Sequence, residues 1–480
     1  MKLNKLPLLF IVPMLLTSCG GSTPEKNYYF VDAPESEKVT ADVLIRSHTK
    51  TLLYEPFTYS DKYFADATNK KLNVSLATAA FGVALIPSYP DKNTQALEKF
   101  GYTDIELGNT IAPEGKYDKV VYMVGHKEID DRNMIVLSIR GSDYEDEWIS
   151  NFNLGDAGDH AGFSYCADSL VDVLKNYLDR YELSDNPKIW LTGYSRGGAI
   201  ANLLGKKVYE DPFFMMEEGD NDLYVNTFEA PQCAAVDNKE YPFIVNICNR
   251  NDMIIQNFKF DMIRRGINHY VNDYTNLKEV EEFCLNLEKD KPLPTFFPKK
   301  LDIFSSSYIV DDYDSTMTYE DFMNMLMKMI YMDTSGVTPG EQEYLDVSTR
   351  SEYMEKMEFS LGHIVNIAIN LTARNIELLK QYFTDNKTEL LPYIAKILGG
   401  NIPGEDVYTL LKLVFDAGEI SYTDDELVTI SNQLPIAIYT MFAISAPDTL
   451  KYVATAIGNA TYLEYQHRLP LIYSYLNSIK

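Results

Sequence analysis

The sequence predicts an α/β fold in which a mostly parallel sheet carries flanking helices and a large helical insertion. Three observations predict it. Short apolar runs at 119–124, 134–139, 188–192, 224–228 and 243–248 read as strands bounded by turn residues. Helical spacings fall between them, as in Cys166, Leu170, Val173, Leu174, Tyr177 and Leu178. Strands that alternate with helices imply a parallel sheet covered on both faces. From about 276 to 449 the buried-strand runs stop and long helical patterns take over. There Phe322, Met325, Leu326, Met329 and Ile330 recur on one face, behind a weak capping signal from Thr318 and Asp321. A methionine-rich stripe of this kind is ordinarily core.

The amino end carries its own signal. Lys2 and Lys5 precede an apolar run over 6–16 that closes in Leu16-Thr17-Ser18-Cys19-Gly20. That run is shorter than the ~20 apolar residues a spanning helix needs, and residues 1–18 read as an export signal. The segment resembles a bacterial lipoprotein signal, which implies cleavage before Cys19 and a lipid on that residue. The protein is then expected outside the cytoplasm, lipid-anchored at the cell envelope or surface. Residues 19–38, small and polar at the start, are expected to form a tether.

A core domain over 39–275 follows, then the insertion over 276–450 and a return to the core over 451–480. Between about 41 and 87 the sequence suggests helices. The clearest covers 73–85, where Leu76, Ala80, Val83 and Ala84 share a face before Pro87 and Pro90 break it.

With 480 residues, 46% of them hydrophobic, the chain can bury more core than one small domain holds. Its formal charge of −27 disfavours nucleic acid and anionic lipid surfaces alike. A neutral substrate and a covalent membrane anchor fit that charge better. Cys166, Cys233, Cys248 and Cys284 are scattered, mostly within apolar segments, and are expected to be buried free thiols. No cysteine and histidine cluster has metal-ligand spacing, and no cofactor is implied.

The sharpest chemical signal is Gly193-Tyr194-Ser195-Arg196-Gly197-Gly198, between the apolar run Ile189-Trp190-Leu191-Thr192 and the helical run beginning at Ala199. A nucleophile elbow requires this strand, tight turn and helix. Glycines on both sides let strand and helix approach, which lifts the serine to a helix amino terminus, where the dipole favours an oxyanion.

Four motifs then resemble the class 3 lipase family of α/β-hydrolases. They are Ile139-Arg140-Gly141-Ser142 with Trp148-Ile149-Ser150-Asn151, His160-Ala161-Gly162-Phe163, the elbow at 193–198, and Asn251-Asp252 after a strand. Their order and separations also agree over about 120–261. The resemblance implies an α/β-hydrolase fold and hydrolysis of carboxylic esters, with acylglycerols the leading substrates. Phospholipase or thioesterase activity would use the same machinery, and a catalytically inactive binding protein would share the fold.

Position by position, the resemblance makes Ser195 the nucleophile and Asp252 the acid that orients a histidine. Ser142 and the backbone N–H of Arg196 become the oxyanion donors, while His160 and Phe163 support the site. His160 itself reads as a partly buried structural residue. Two departures stand out: Arg196 where leucine is frequent, and Glu229 where glycine is frequent. An ion pair between them beneath the elbow is expected.

The base must follow Asp252 in the order Ser, Asp, His, leaving His269, His363 and His467. His363 falls inside a helical pattern. His467 precedes Arg468-Leu469-Pro470, a loop entering a terminal helix, and is assigned, with His269 as its rival. That assignment puts the insertion between two members of the triad, over the site as a cap.

Overall fold

The computed structural model describes residues 26–46, 52–64, 71–111, 119–141, 151, 155, 157–216, 222–250, 252, 254–256, 262–287, 373–386, 404–424, 427–428, 431 and 467–480. Seven strands form the main sheet: β5 (Thr103–Ile111), β6 (Lys119–Ile129), β7 (Arg132–Ile139), β8 (Lys188–Tyr194), β9 (Leu223–Phe228), β11 (Ile244–Cys248) and β13 (Ile267–Tyr270). Their spatial order is β13-β11-β9-β8-β7-β6-β5. From β13 to β7 every pairing is parallel, and β7-β6-β5 is antiparallel. The five apolar runs are thus strands of one sheet. β5 and β13, at its edges, lack so clear a signature.

Strand periodicity divides the interior in two. Along β7, Met134 and Val136 join one cluster with Trp190 of β8, while Ile135, Leu137 and Ile139 join the other with Ile189 and Leu191. Successive side chains of a strand point to opposite faces, so a sheet with helices on both sides needs continuous apolar strands.

The second face is covered by α3 (Ala161–Arg180) and α4 (Arg196–Glu210), and the first by α1 (Val74–Leu85) among others. Asn73 caps α1 by accepting from Leu76 N at 3.0 Å. Nearly all of α1 is buried, and the sheet reaches its carbonyls directly, from Ser138 Oγ to Val83 O at 2.8 Å and from Thr192 Oγ1 to Ala80 O at 3.2 Å.

Two expectations near the amino end change. The stretch before α1 is a hairpin, β2 (Val39–Arg46) paired antiparallel with β3 (Leu52–Tyr59), where helices were expected. Ala41, Val43 and Ile45 are buried every second residue, the period of a strand. The expected tether over 19–38 also ends early. β1 (Tyr28–Tyr29) pairs in parallel with β4 (Leu72–Asn73), Tyr28 donates to the Lys480 carbonyl at 2.5 Å, and Ala33 is buried. Aromatic and apolar residues there gain by leaving water, as a polar linker would not.

The stretch expected to form the insertion begins with α5 (Leu277–Leu287), whose Val280 and Cys284 are core residues. Cys284 Sγ donates to Ser474 Oγ at 2.9 Å in the last described helix, α8 (Leu469–Ser478). Helices α6 (Ala373–Asp385) and α7 (Gly404–Ala417) also belong to this stretch. Most of its remaining residues, including the methionine-rich face at 322–330, lie outside the described residues. Among the described residues no helix is long and apolar enough to cross a membrane. Cys166, Cys233, Cys248 and Cys284 are free and buried, as expected.

Candidate active site

The site is assembled at the carboxyl ends of the parallel strands, where ligands of open α/β sheets sit. β8 ends at Tyr194, Ser195 turns with φ 56° and ψ −125°, and α4 begins at Arg196. A positive φ costs a residue with a side chain roughly 1–2 kcal/mol. The turn is held from outside by a bond from Ser195 N to Phe228 O at 2.7 Å. The flanking glycines explain why the turn can be so tight. A Cβ on Gly193 would lie 2.3 Å from Gly197 O, and one on Gly197 would lie 2.3 Å from Ile139 O and 2.7 Å from Arg140 O. Gly197→Ala is therefore expected to cost about 3 kcal/mol through backbone displacement, read as a lowered urea midpoint together with lost activity.

A buried polar network fixes α4 over the neighbouring strands. Asn202 Nδ2 donates to Asn246 Oδ1 and to Arg265 O, both at 2.9 Å, and Thr227 Oγ1 donates to Asn246 Oδ1 at 2.6 Å. Each buried polar group has a partner, so the network specifies one register of helix on sheet.

Asp252 lies just after β11 and is fully buried. Its amide donates to Asn249 O at 3.0 Å, and its Oδ1 accepts from Ile254 N at 2.9 Å, which leaves Oδ2 for His467. His467 stands at the entrance to α8, where Pro470 occupies the first turn. Leu471, Ile472, Tyr475 and Leu476 of that helix are buried in the core, and Asn272 Nδ2 donates to Tyr475 Oη at 2.9 Å.

The imidazole is held at both ends. His467 Nδ1 lies 2.5 Å from Asp252 Oδ2, and Nε2 lies 2.8 Å from Ser195 Oγ. Its side chain is 20% exposed, so the group that meets Ser195 also meets solvent. The Tyr194 hydroxyl donates to the His467 carbonyl, and the two rings lie 5.1 Å apart. Burial first, and the nearby Asp252 carboxylate second, push that hydroxyl well above the usual tyrosine range, so it stays a neutral donor. Tyr194→Phe should lower kcat by about 2- to 10-fold, the worth of one ordinary hydrogen bond, with KM nearly unchanged in steady-state assays.

The other expected residues fall as follows. His269 sits in β13, nearly buried, with Nδ1 2.8 Å from Tyr274 Oη, and it is His467 that reaches Ser195. His160 is fully buried and caps α3, with Nδ1 accepting from Phe163 N at 3.4 Å and its ring stacked on Phe163. It has the structural place expected of it but is fully rather than partly buried. Arg196 opens α4, the position whose N–H has no acceptor within its own helix. Ser142, Cys19 and His363 lie outside the described residues.

The expected ion pair between Arg196 and Glu229 is not formed. Arg196 extends from α4 toward α3, its Nη2 3.4 Å from Cys166 Sγ. Glu229 follows β9 and turns instead toward the triad residues: its Oε1 accepts from Asn249 N at 2.9 Å. Burial first, and Asp252 second, push its carboxyl well above the usual range. Glutamate where the resembled family often has glycine marks the position, but its partner is not Arg196, because the two side chains leave β9 and α4 in different directions.

Glu229, Asp252 and His467 each bring a potential ligand atom within 4.8 Å of the others, the only such cluster among the described residues that could hold a metal. The hydrogen bond between Asp252 and His467 accounts for part of that closeness.

A serine at a strained strand-to-helix turn on a mostly parallel sheet, within reach of a histidine held by a buried aspartate, defines an α/β-hydrolase site. Residues 136–261 match the family model Lipase (class 3). Similar solved structures include a fungal lipase in complex with an inhibitor, at 18% identity over 41% of this chain and 78% of that one, with a TM-score of 0.32. Others are the Rhizomucor miehei triacylglyceride lipase, at 18% identity over 44% and 78% with a TM-score of 0.31, and a lipase from Rhizopus microsporus var. chinensis, at 17% over 50% and 78% with a TM-score of 0.29. A search of curated proteins gives no match.

Proposed function

We propose that the protein is a serine-dependent carboxylic ester hydrolase acting through an acyl-enzyme on Ser195, with acylglycerols as its leading substrates. The observation that carries this reading is the unbroken chain of hydrogen bonds from Ser195 Oγ through His467 to Asp252 Oδ2. A serine hydroxyl is a poor nucleophile until a base takes its proton. His467 Nε2 accepts that proton as Oγ bonds to the ester carbonyl carbon, and Asp252 holds Nδ1–H and stabilises the imidazolium. The carbonyl oxygen gains charge and is held by the N–H of Arg196 and by Ser142. His467 then returns the proton to the departing alcohol, and water, deprotonated by the same imidazole, releases the acid and regenerates Ser195.

The export signal and Cys19 support a further part of the proposal, that the enzyme works at the cell envelope on a lipid tether. Mass spectrometry of the mature amino terminus should find acylated Cys19, and any unmodified residue there would remove the anchor.

A fluorophosphonate probe tests the chemistry. It should label Ser195 in the wild type and leave Ser195→Ala unlabelled, while only the wild type cleaves p-nitrophenyl esters and triglycerides. A folded wild type that never labels would point to a binding protein with a silent site.

A further inference from the structure

Glu229 is an expensive residue for its position. It has φ 48° although it is not glycine, and its side chain is wholly buried. Buried carboxyl groups ordinarily ionise only beside a cation, and Arg196 is directed elsewhere. Its two oxygens meet opposite environments. Oε1 accepts from the Asn249 amide at 2.9 Å, whereas no donor reaches Oε2. A Glu229 oxygen instead lies within 4.8 Å of Asp252 and His467. A buried carboxyl group with one oxygen that no donor reaches, beside a second carboxylate, fits a neutral carboxylic acid, whose hydroxyl donates.

We propose that Glu229 is a positioning residue for the triad, a neutral acid whose hydroxyl donates to Asp252 and so fixes the carboxylate that orients His467. The inference rests on the reading of Ser195, His467 and Asp252 as an ester-hydrolysing triad. Glu229 touches neither substrate nor the reacting hydroxyl and acts through Asp252. The pair carries one negative charge, which keeps the buried site compatible with a transient imidazolium on His467. Besides Asp252 and His467, the titratable neighbours of Glu229 are Tyr194 and Cys248; burial keeps both neutral by pushing their ionisation upward.

Three side chains of similar length separate the alternatives, since Glu, Gln and Met bear the same strain at a positive φ. Gln keeps an acceptor for Asn249 and a donor for Asp252, and Met keeps neither. Glu229→Met is expected to lower kcat about 10- to 100-fold at constant KM, and Glu229→Gln to recover most of that loss. A Met variant as active as the wild type, or a Gln variant as impaired as Met, would overturn the proposal.

A second measurement does not depend on turnover. An acid that folds protonated loses stability as pH rises above its unfolded value of about 4.3, because the unfolded chain then gives up its proton first. The Tm of Glu229→Gln should therefore gain on that of the wild type between pH 4 and pH 8, in a Ser195→Ala background as well. A difference that is flat with pH, or that runs the other way, would show an ordinary or ionised Glu229 and end the proposal. Failure to hydrolyse any ester, with this thermal signature intact, would instead count against the functional reading alone.

Discussion

Replacing His467 with alanine is expected to lower kcat for ester hydrolysis by about 10⁴- to 10⁶-fold, as large as the loss from Ser195→Ala, because the two act as one unit. The geometry behind this expectation is the 2.8 Å separation between Nε2 and Oγ. Without the imidazole the serine proton has nowhere to go, and the leaving alcohol has no acid. The double variant Ser195→Ala/His467→Ala should be no worse than either single one. Steady-state kinetics of all three, with folding checked by circular dichroism, would test it. An His467→Ala enzyme within tenfold of wild type would return the choice to His269, which is anchored on β13 beside Tyr274.

Asp252→Asn carries the second large effect, an expected loss of about 10⁴-fold in kcat with the fold retained. Asp252 Oδ2 accepts a hydrogen bond from His467 Nδ1–H while Oδ1 accepts from Ile254 N. An amide can place an N–H2 group against the imidazole, which would favour the tautomer that carries its proton on Nε2. That nitrogen could then no longer accept from Ser195. The loss should fall on kcat and kcat/KM alike, since the interaction matters as charge develops. Full activity in the folded variant would remove Asp252 from the chemistry.

Much of the site was readable in the residues because its signals are local. Glycine spacing around Ser195 reports directly on a backbone approach that a Cβ would block, and the apolar strand before it fixes where that turn sits. The five buried strands were legible for a related reason: a sheet covered on both faces needs uninterrupted apolar runs. The hairpin β2–β3 was harder. Its outward residues include the apolar Leu52 and Tyr54, both exposed, so its period of two was blurred. Glu229 shows the other limit. That its position was unusual could be seen from sequence, but its partner depends on how the ends of β9 and β11 converge.

The base follows the nucleophile by 272 residues in the chain. At a synthesis rate of about 5–20 residues per second, the ribosome needs roughly 15–55 s to make that interval. During that time the elbow serine can exist without any imidazole to activate it. On the proposed mechanism, the nascent polypeptide carries its nucleophile before its activating base is made, so hydrolysis waits until His467 and the helix after it dock.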